Sequence, residues 1–379
     1  MKELNVGKII VSKRREKGVT QDQLAAYIGV SKSSVSKWET QQSYPDITFL
    51  PQIAAYFNIS IDDLMGYSPQ MTKEDIKKLY QRLSSDFATQ PFDNVLAECL
   101  GIIKKFYSCF PLLFQMSLLL CNHYMLTKDT DLQKNILEKI AELCIRIKTQ
   151  SGDVWLSKDA ISLEATCYLI QQQPQSVLNL LGEIIRPAST DDAIMAQAYQ
   201  IMGDIPNANK VLQVSMYQHL TSLVGFTHSF LHIHINDKEK FQEILYRILS
   251  IAKTFDLDRL HPNIMALTYL TGAQGYSMQC DTENALCMLQ KYADICTRNF
   301  FPYTLHGDNF FDQLDSWFSE SDSPTHAPRS EKLIKESMLQ GVMYNPAFTV
   351  LEDHPGYKTI ISRLKSNLGG NPYEERNKE

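Results

Sequence analysis

The sequence predicts an all-α protein in two parts, a small head of five short helices and a long body of successive helices. Three observations carry this. Helix caps and apolar spacings of three and four recur through the first 66 residues. From residue 91 onward, helical runs of about 12–18 residues alternate with short polar turns, and no period-two pattern competes. The one alternating stretch, Phe230-Leu-His-Ile-His-Ile235, lies inside such a run and is assigned as helix. The length, 379 residues, exceeds one compact helical unit and calls for more than one domain.

The head opens with Val6, Ile9, Ile10 and Lys13, a first helix with a basic outer side. Thr20 and Gln23 have capping-box spacing and start a second helix, with Leu24, Ala25 and Ile28 on its apolar face. Gly29 ends it, because glycine takes the left-handed backbone at no steric cost. Ser31 then caps a third helix, Lys32 to Thr40, which buries Val35 and Trp38. Ile47, Leu50, Ile53, Ala54 and Phe57 give a fourth helix, and Ser60 to Asp63 cap a short fifth that contains Leu64. A helix, a tight turn centred on glycine and a second helix make a helix-turn-helix.

This segment resembles the lambda-repressor/Cro-like, or Xre-type, DNA-binding domain. The matching residues are Arg14, Thr20 to Ala25, Gly29 to Ser31, Val35 to Glu39, Tyr44 to Asp46, Leu50, Ile53-Ala54 and Asp63-Leu64. The resemblance implies that Ser31 to Lys37 open a recognition helix for the major groove. Lys32, Ser33 and Lys37 then face base edges, and Gln21 grips a phosphate at a helix N-terminus. Ser34, Ser36 and Gln42 complete the DNA-facing set, while Arg14 and Glu39 form a scaffold pair joining the first helix to the third. Without the resemblance, two lysines on a helix read as a solvated face; Trp38 reads as core either way. One departure stands out: Thr40-Gln41 occupies the place where the family usually has Asn-Gly, so the inexpensive left-handed residue after the third helix is missing.

Thr72 to Asp75 cap a helix through Ile76, Leu79, Tyr80 and Leu83 that stops near Pro91, a connector between head and body. In the body, polar breaks at Lys128–Asp131, Gln172–Gln175, Gly203-Asp204, Asn236-Asp237 and Cys280-Asp281 each precede a new helix. Small or apolar residues follow at Ile136, Val177, Ala208, Phe241 and Ala285, at intervals of 41, 31, 33 and 44. The pattern resembles tetratricopeptide helix pairs, most clearly at Ala198 to Leu212 and Cys280 to Leu286. Asn345 to Tyr357 is similar to a closing segment after such repeats, which covers the last apolar face. The expected organisation is a head at 1–66, a connector helix at 67–90, a repeat body with its cap at 91–366 and a flexible tail at 367–379. Ser319 to Ser330 is an expected surface loop.

Charge and composition narrow the function classes. Apolar residues at 44% and charged residues at 21% exclude wholesale disorder. The formal net charge is −6, yet residues 1–45 carry eight basic and four acidic side chains, leaving −10 for the remainder. A basic head can meet phosphates while an acidic body repels them. The eight cysteines include no Cys-x-x-Cys pair, which predicts reduced thiols in a cytoplasmic protein. No apolar run reaches membrane-spanning length; Phe110 to Cys121 is broken by Pro111, Gln115 and Ser117 and is assigned as buried helix.

No phosphate-binding loop, dinucleotide fingerprint, zinc-protease or serine-hydrolase motif is present, so no enzyme activity and no cofactor is assigned. Thr271-Gly-Ala-Gln-Gly275 reads as a close helix crossing. His228 and His232, with His219 and His234 nearby, have metal-ligand spacing but no acidic or cysteine partner, so they read as core or surface histidines and no metal is assigned.

The layout as a whole, an Xre-type head on a helical-repeat body, is similar to that of the peptide-pheromone-receptor regulators of Gram-positive bacteria. It implies a DNA-binding transcriptional regulator that binds double-stranded DNA as a homodimer on a palindromic operator. A short peptide or protein would sit in the body's groove, for which Tyr199, Gln200, Tyr217, Gln218 and Tyr276 are candidates. The alternative is a constitutive regulator, or an interaction scaffold, whose body only dimerises or recruits a partner.

Overall fold

The computed structural model describes residues 6–67, 70–185, 191–298, 300–320 and 327–369; among them helices carry the fold and no strand forms. None of these helices is long and apolar enough to cross a membrane. Internal contacts divide the chain into two units, residues 1–76 with 100–113, and residues 77–99 with 114–379.

In the first unit, α1 (Val6–Glu16), α2 (Gln21–Ile28), α3 (Lys32–Glu39), α4 (Leu50–Phe57) and α5 (Ile61–Met65) enclose one apolar core. Val6, Ile10, Leu24, Val35, Ile53 and Leu64 lie at its centre. Ile47, expected on the apolar face of the fourth helix, is instead 78% exposed. Asp46 caps a separate 3-10 turn over Ile47–Phe49, with Thr48 N–H donating to its carboxylate at 2.9 Å. Pro51 then fits the first turn of α4, so the buried face begins one turn later. Gly7 is buried where α1 passes the end of α3, and a Cβ there would overlap the Trp38 carbonyl oxygen.

Three helices run through the division between the units: α6 (Lys73–Thr89), α7 (Phe92–Lys105) and α8 (Phe110–His123). Thr72 and Asp75 cap α6 as expected. In the second unit, Tyr80 and Ser84 of α6 both donate to the Pro328 carbonyl, at 3.4 and 3.0 Å. The α8 run is buried helix, with Leu112, Leu113, Met116 and Leu119 fully enclosed.

The second unit continues through α9 (Thr130–Gln150), α10 (Val154–Ile170), α11 (Pro174–Leu181), α12 (Asp191–Ile201), α13 (Ile205–Ile233), α14 (Lys238–Thr254), α15 (Leu257–Leu260), α16 (Pro262–Met278) and α17 (Thr282–Arg298). It closes with α18 (Leu314–Glu320), α19 (Glu331–Met343) and α20 (Pro355–Leu368). Every polar break read from the sequence is a turn that precedes a helix. Three of them share one geometry: Gln172, Gly203 and Cys280 each take a positive φ after a helix. The next residue's N–H then bonds back to Tyr168, Tyr199 or Tyr276, at 2.9 Å in each case. This is the Schellman closure, repeated at α10–α11, α12–α13 and α16–α17. Asp204 and Asp281 cap the following helices through the same Asp-x-x-Asn bonds. The repeat is broken by α13, whose 29 residues far exceed its neighbours.

The Gly-Ala-Gln-Gly stretch is a close crossing: a Cβ on Gly275 would overlap the Phe241 ring of α14. The closing segment also packs as expected. Ser277 Oγ donates to Ala347 O at 2.6 Å, and Phe348, Leu351 and Tyr357 are buried. Two boundaries shift. Helix α20 runs to Leu368, so the expected tail loses its first two residues to the fold, and 370–379 lie outside the described residues. Ser319 belongs to α18 rather than to a loop, and 321–326 also lie outside the described residues.

Candidate nucleic-acid interface

The exposed side of α3 is set by its caps and its buried face. Thr20 and Gln23 form the reciprocal capping box of α2, with bonds of 3.2 and 2.8 Å. Gly29 then turns the chain at φ +81° and Ser31 Oγ accepts the Ser34 N–H at 3.2 Å. Because Val35 and Trp38 are buried, Lys32, Ser33 and Lys37 face solvent, with Ser34 and Ser36 half-buried at the edges. The free amides at the start of α3 add positive potential to the same surface.

Beneath this surface lies an ionic clamp. Arg14 donates to both carboxylate oxygens of Glu39, at 2.6 and 3.0 Å, and to Val19 O at 2.8 Å. Burial alone would push the Glu39 carboxyl up. The Arg14 bond, the Gln21 amide and the Arg14 and Arg15 charges together hold it below its ordinary value. Gln21 Nε2 donates to Glu39 Oε2 at 2.8 Å, so this side chain is half-buried and already engaged within the fold.

The loop after α3 closes without glycine. Gln41 takes φ +61°, its N–H reaches Trp38 O at 3.1 Å, and the Gln42 N–H reaches Lys37 O at 2.9 Å. This is again a Schellman closure, with a glutamine in the left-handed position at a cost of about 1 kcal/mol. Gln42 is left exposed beside Lys37.

One participant was not legible in the sequence. Asp22, in the first turn of α2, accepts from Lys32 Nζ at 2.7 Å, both side chains being about 60% exposed. Ten residues of separation hide the pair, and only the helix-turn-helix angle brings them together.

The second unit holds a cleft of about 350 Å³ lined by Tyr199 and Gln218 with Met195, Lys210, Trp317 and Glu320. Lys210 Nζ donates to Glu320 Oε2 at 2.6 Å and Ser316 Oγ at 3.1 Å, tying α13 to α18. Two of the five expected groove residues therefore lie together. Gln200 is exposed but is not among the lining residues. Tyr217 and Tyr276 are core rather than groove, only 4% and 7% exposed. Tyr217 sits on the α13 face that packs edge-on to Phe311 and Phe318, and Tyr276 packs edge-on to Phe241. Two of the four histidines have hydrogen-bond partners: His228 bonds Thr268 Oγ1 at 2.9 Å, and His219 bonds its own helix at Ser215 O, 2.8 Å away, while His232 is exposed. Among the described residues no three His, Cys, Asp or Glu side chains converge on a metal-sized point.

Residues 10–64 match the helix-turn-helix family. The head is a helix-turn-helix domain. A 73-residue stretch is 34% identical to the HTH-type transcriptional activator BcrR of Enterococcus faecalis, covering 18% of this chain and 36% of that one. The match thus spans about a third of that relative. Among solved structures, the apo competence regulator ComR from Streptococcus vestibularis aligns with 84% of this chain and 98% of its own, at 12% identity and a TM-score of 0.24. ComR from S. thermophilus, in complex with DNA and its signalling peptide ComS, covers 84% and 99% at 13% identity and a TM-score of 0.24.

In chemical terms the helix-turn-helix domain presents two ammonium groups and three or more hydroxyls on one capped helix. Such a set can donate to guanine O6/N7 and to phosphate oxygens.

Proposed function

We propose that the protein is a sequence-specific, DNA-binding transcriptional regulator, without enzyme activity and acting in the cytoplasm, whose helical body sets the activity of its head. The observation that carries this is the solvent-facing row Lys32, Ser33 and Lys37 on the capped α3 of a helix-turn-helix domain. Residues 1–66 read the DNA, 67–90 connect, and 91–366 respond. Gln21, Ser34, Ser36 and Gln42 flank the reading surface as backbone contacts. One such head reads only a few base pairs, so the active form is a homodimer on a two-fold double-stranded site.

The cleft beside Tyr199 and Gln218 is the place for a short peptide. Trp317 and Met195 offer apolar contact for a side chain, and Lys210, Glu320 and Asp192 offer charges for peptide termini.

Selection of bound fragments from genomic DNA supplies the site, and Lys32→Ala with Lys37→Ala tests the surface. The double variant should lose binding and lower the salt slope by up to about four, two for each head of the dimer. Unchanged affinity and slope would remove α3 as the reader. A panel of short peptides, read by thermal shift against the wild type and Tyr199→Ala, separates a ligand-controlled regulator from a constitutive one.

A further inference from the structure

Helix α13 carries two apolar rows, one residue out of step. The inner row, Tyr217, Leu220, Val224, Thr227 and Leu231, is buried in the core of the second unit. The outer row is Leu212, Met216, Leu223, Phe226, Phe230 and Ile233, with His219 completing it, and every member is exposed. Their spacings are 4, 3, 4, 3, 4 and 3, the a/d pattern of a coiled-coil seam. Ile205 and Asn209 extend the same spacing one heptad toward the N-terminus, so the row runs the full helix, about 43 Å.

We propose that this outer face of α13 is a self-association seam whose occupant is the same face of a second copy. The proposal deepens the dimeric reading above and rests on it. Three observations select a second copy. An a/d row is self-complementary, because its knobs fit the holes of an identical row. From Val211 to Asn236 the chain carries no Asp, Glu, Lys or Arg, so the face offers no charge by which to recognise an unlike partner. With Phe226 and Ile233 at 74% and 75% exposure, and large side chains presenting about 200 Å² each, the row exposes roughly 700 Å². Two copies would bury about 1,400 Å², within the range of stable interfaces. A lone apolar patch of that extent is large for a monomer.

Sedimentation velocity of the full chain tests this with Phe226→Glu, which places two like charges in the symmetric seam. The dimer dissociation constant should rise about a hundredfold or more, while Trp155→Glu, an exposed aromatic off the row, should leave it unchanged. Circular dichroism checks that each variant keeps its helices. Leu223 lies near the middle of the exposed row Leu212 to Ile233, so it meets its own copy in a parallel pairing and comes within about one turn of it in an antiparallel one. Leu223→Cys, in a chain with the exposed Cys280 and Cys287 changed to Ser, should therefore give an oxidised covalent dimer. A wild type that stays monomeric overturns the dimeric reading and the seam together. A wild-type dimer that survives Phe226→Glu, and whose Leu223→Cys variant does not cross-link, overturns the seam alone.

Discussion

Lys32 Nζ lies 2.7 Å from the Asp22 carboxylate, so the lysine that opens α3 is held by α2. At about 60% exposure on both sides the pair contributes little to stability. In the proposed DNA-reading role of α3, its effect falls on binding: Asp22 neutralises a cation that would otherwise meet DNA, and it sets a negative charge beside the phosphates. Asp22→Asn should tighten DNA binding about threefold at low salt, with the gain vanishing as salt rises. Fluorescence anisotropy across a salt series checks this. An affinity that does not change would mean that Lys32 stays clear of the DNA.

The end of α3 gives a stability prediction of both signs. Gln41 holds a left-handed backbone that glycine adopts without strain. Gln41→Gly should therefore stabilise the helix-turn-helix domain by about 0.5 kcal/mol at most, after the entropy glycine adds to the unfolded chain. Gly7→Ala should act in reverse, because its Cβ would overlap the Trp38 carbonyl, a backbone atom that cannot step aside. Forcing α1 off α3 should cost about 2 kcal/mol or more. Thermal melts of the full chain, read at the transition of the first unit, measure both.

These two cases show what the sequence makes legible and what it hides. Caps, glycine stops and apolar spacings are local, so α1 to α5 and the turns at 172, 203 and 280 can be read directly. The departure at Thr40-Gln41 is visible too, but the chain's answer to it, an unchanged loop with a strained glutamine, is not. Pairs such as Lys32–Asp22 depend on helix crossing angles that no linear spacing encodes. The groove assignment partly failed for the same reason. Tyr199, Tyr217 and Tyr276 look alike in sequence, yet Tyr217 and Tyr276 lie on core-facing sides of their helices. The outer row of α13 was open to reading, but its exposure was not, since an apolar helix reads equally well as core.

His123 should make the second unit sensitive to acid. It is fully buried, stacked on Phe87 at 4.6 Å, with Nδ1–H donating to Leu119 O at 2.7 Å. Burial pushes its pKa down to about 4, the Leu119 bond opposes this, and Arg329 adds to it. The unfolded chain titrates near 6.5. Between those values the unfolded state binds a proton that the folded state does not, so stability rises with pH across the window and is lost as pH falls. Urea unfolding should give about 2 kcal/mol less stability at pH 5 than at pH 7 from this group. His123→Gln should flatten that slope, at a general cost in packing. An equal slope in the variant would assign the acid sensitivity elsewhere.

Tyr217 separates core from cleft. Its hydroxyl is buried and has no hydrogen-bond partner among the described residues, while its ring is held by Phe311, Phe318 and His261. A buried hydroxyl without a partner costs desolvation and returns nothing, so removing the oxygen while keeping the ring should help. Tyr217→Phe should raise stability by about 1 kcal/mol and leave any ligand response of the cleft intact. Tyr199→Ala should do the opposite: its side chain is half-buried and lines the cleft, so the ligand response should fall while the fold loses little. Chemical denaturation and ligand-induced thermal shift, run on both variants, distinguish the two roles. A Tyr217→Phe chain that unfolds more easily, or loses the ligand response, would mean that the hydroxyl has a bonding role in the folded protein.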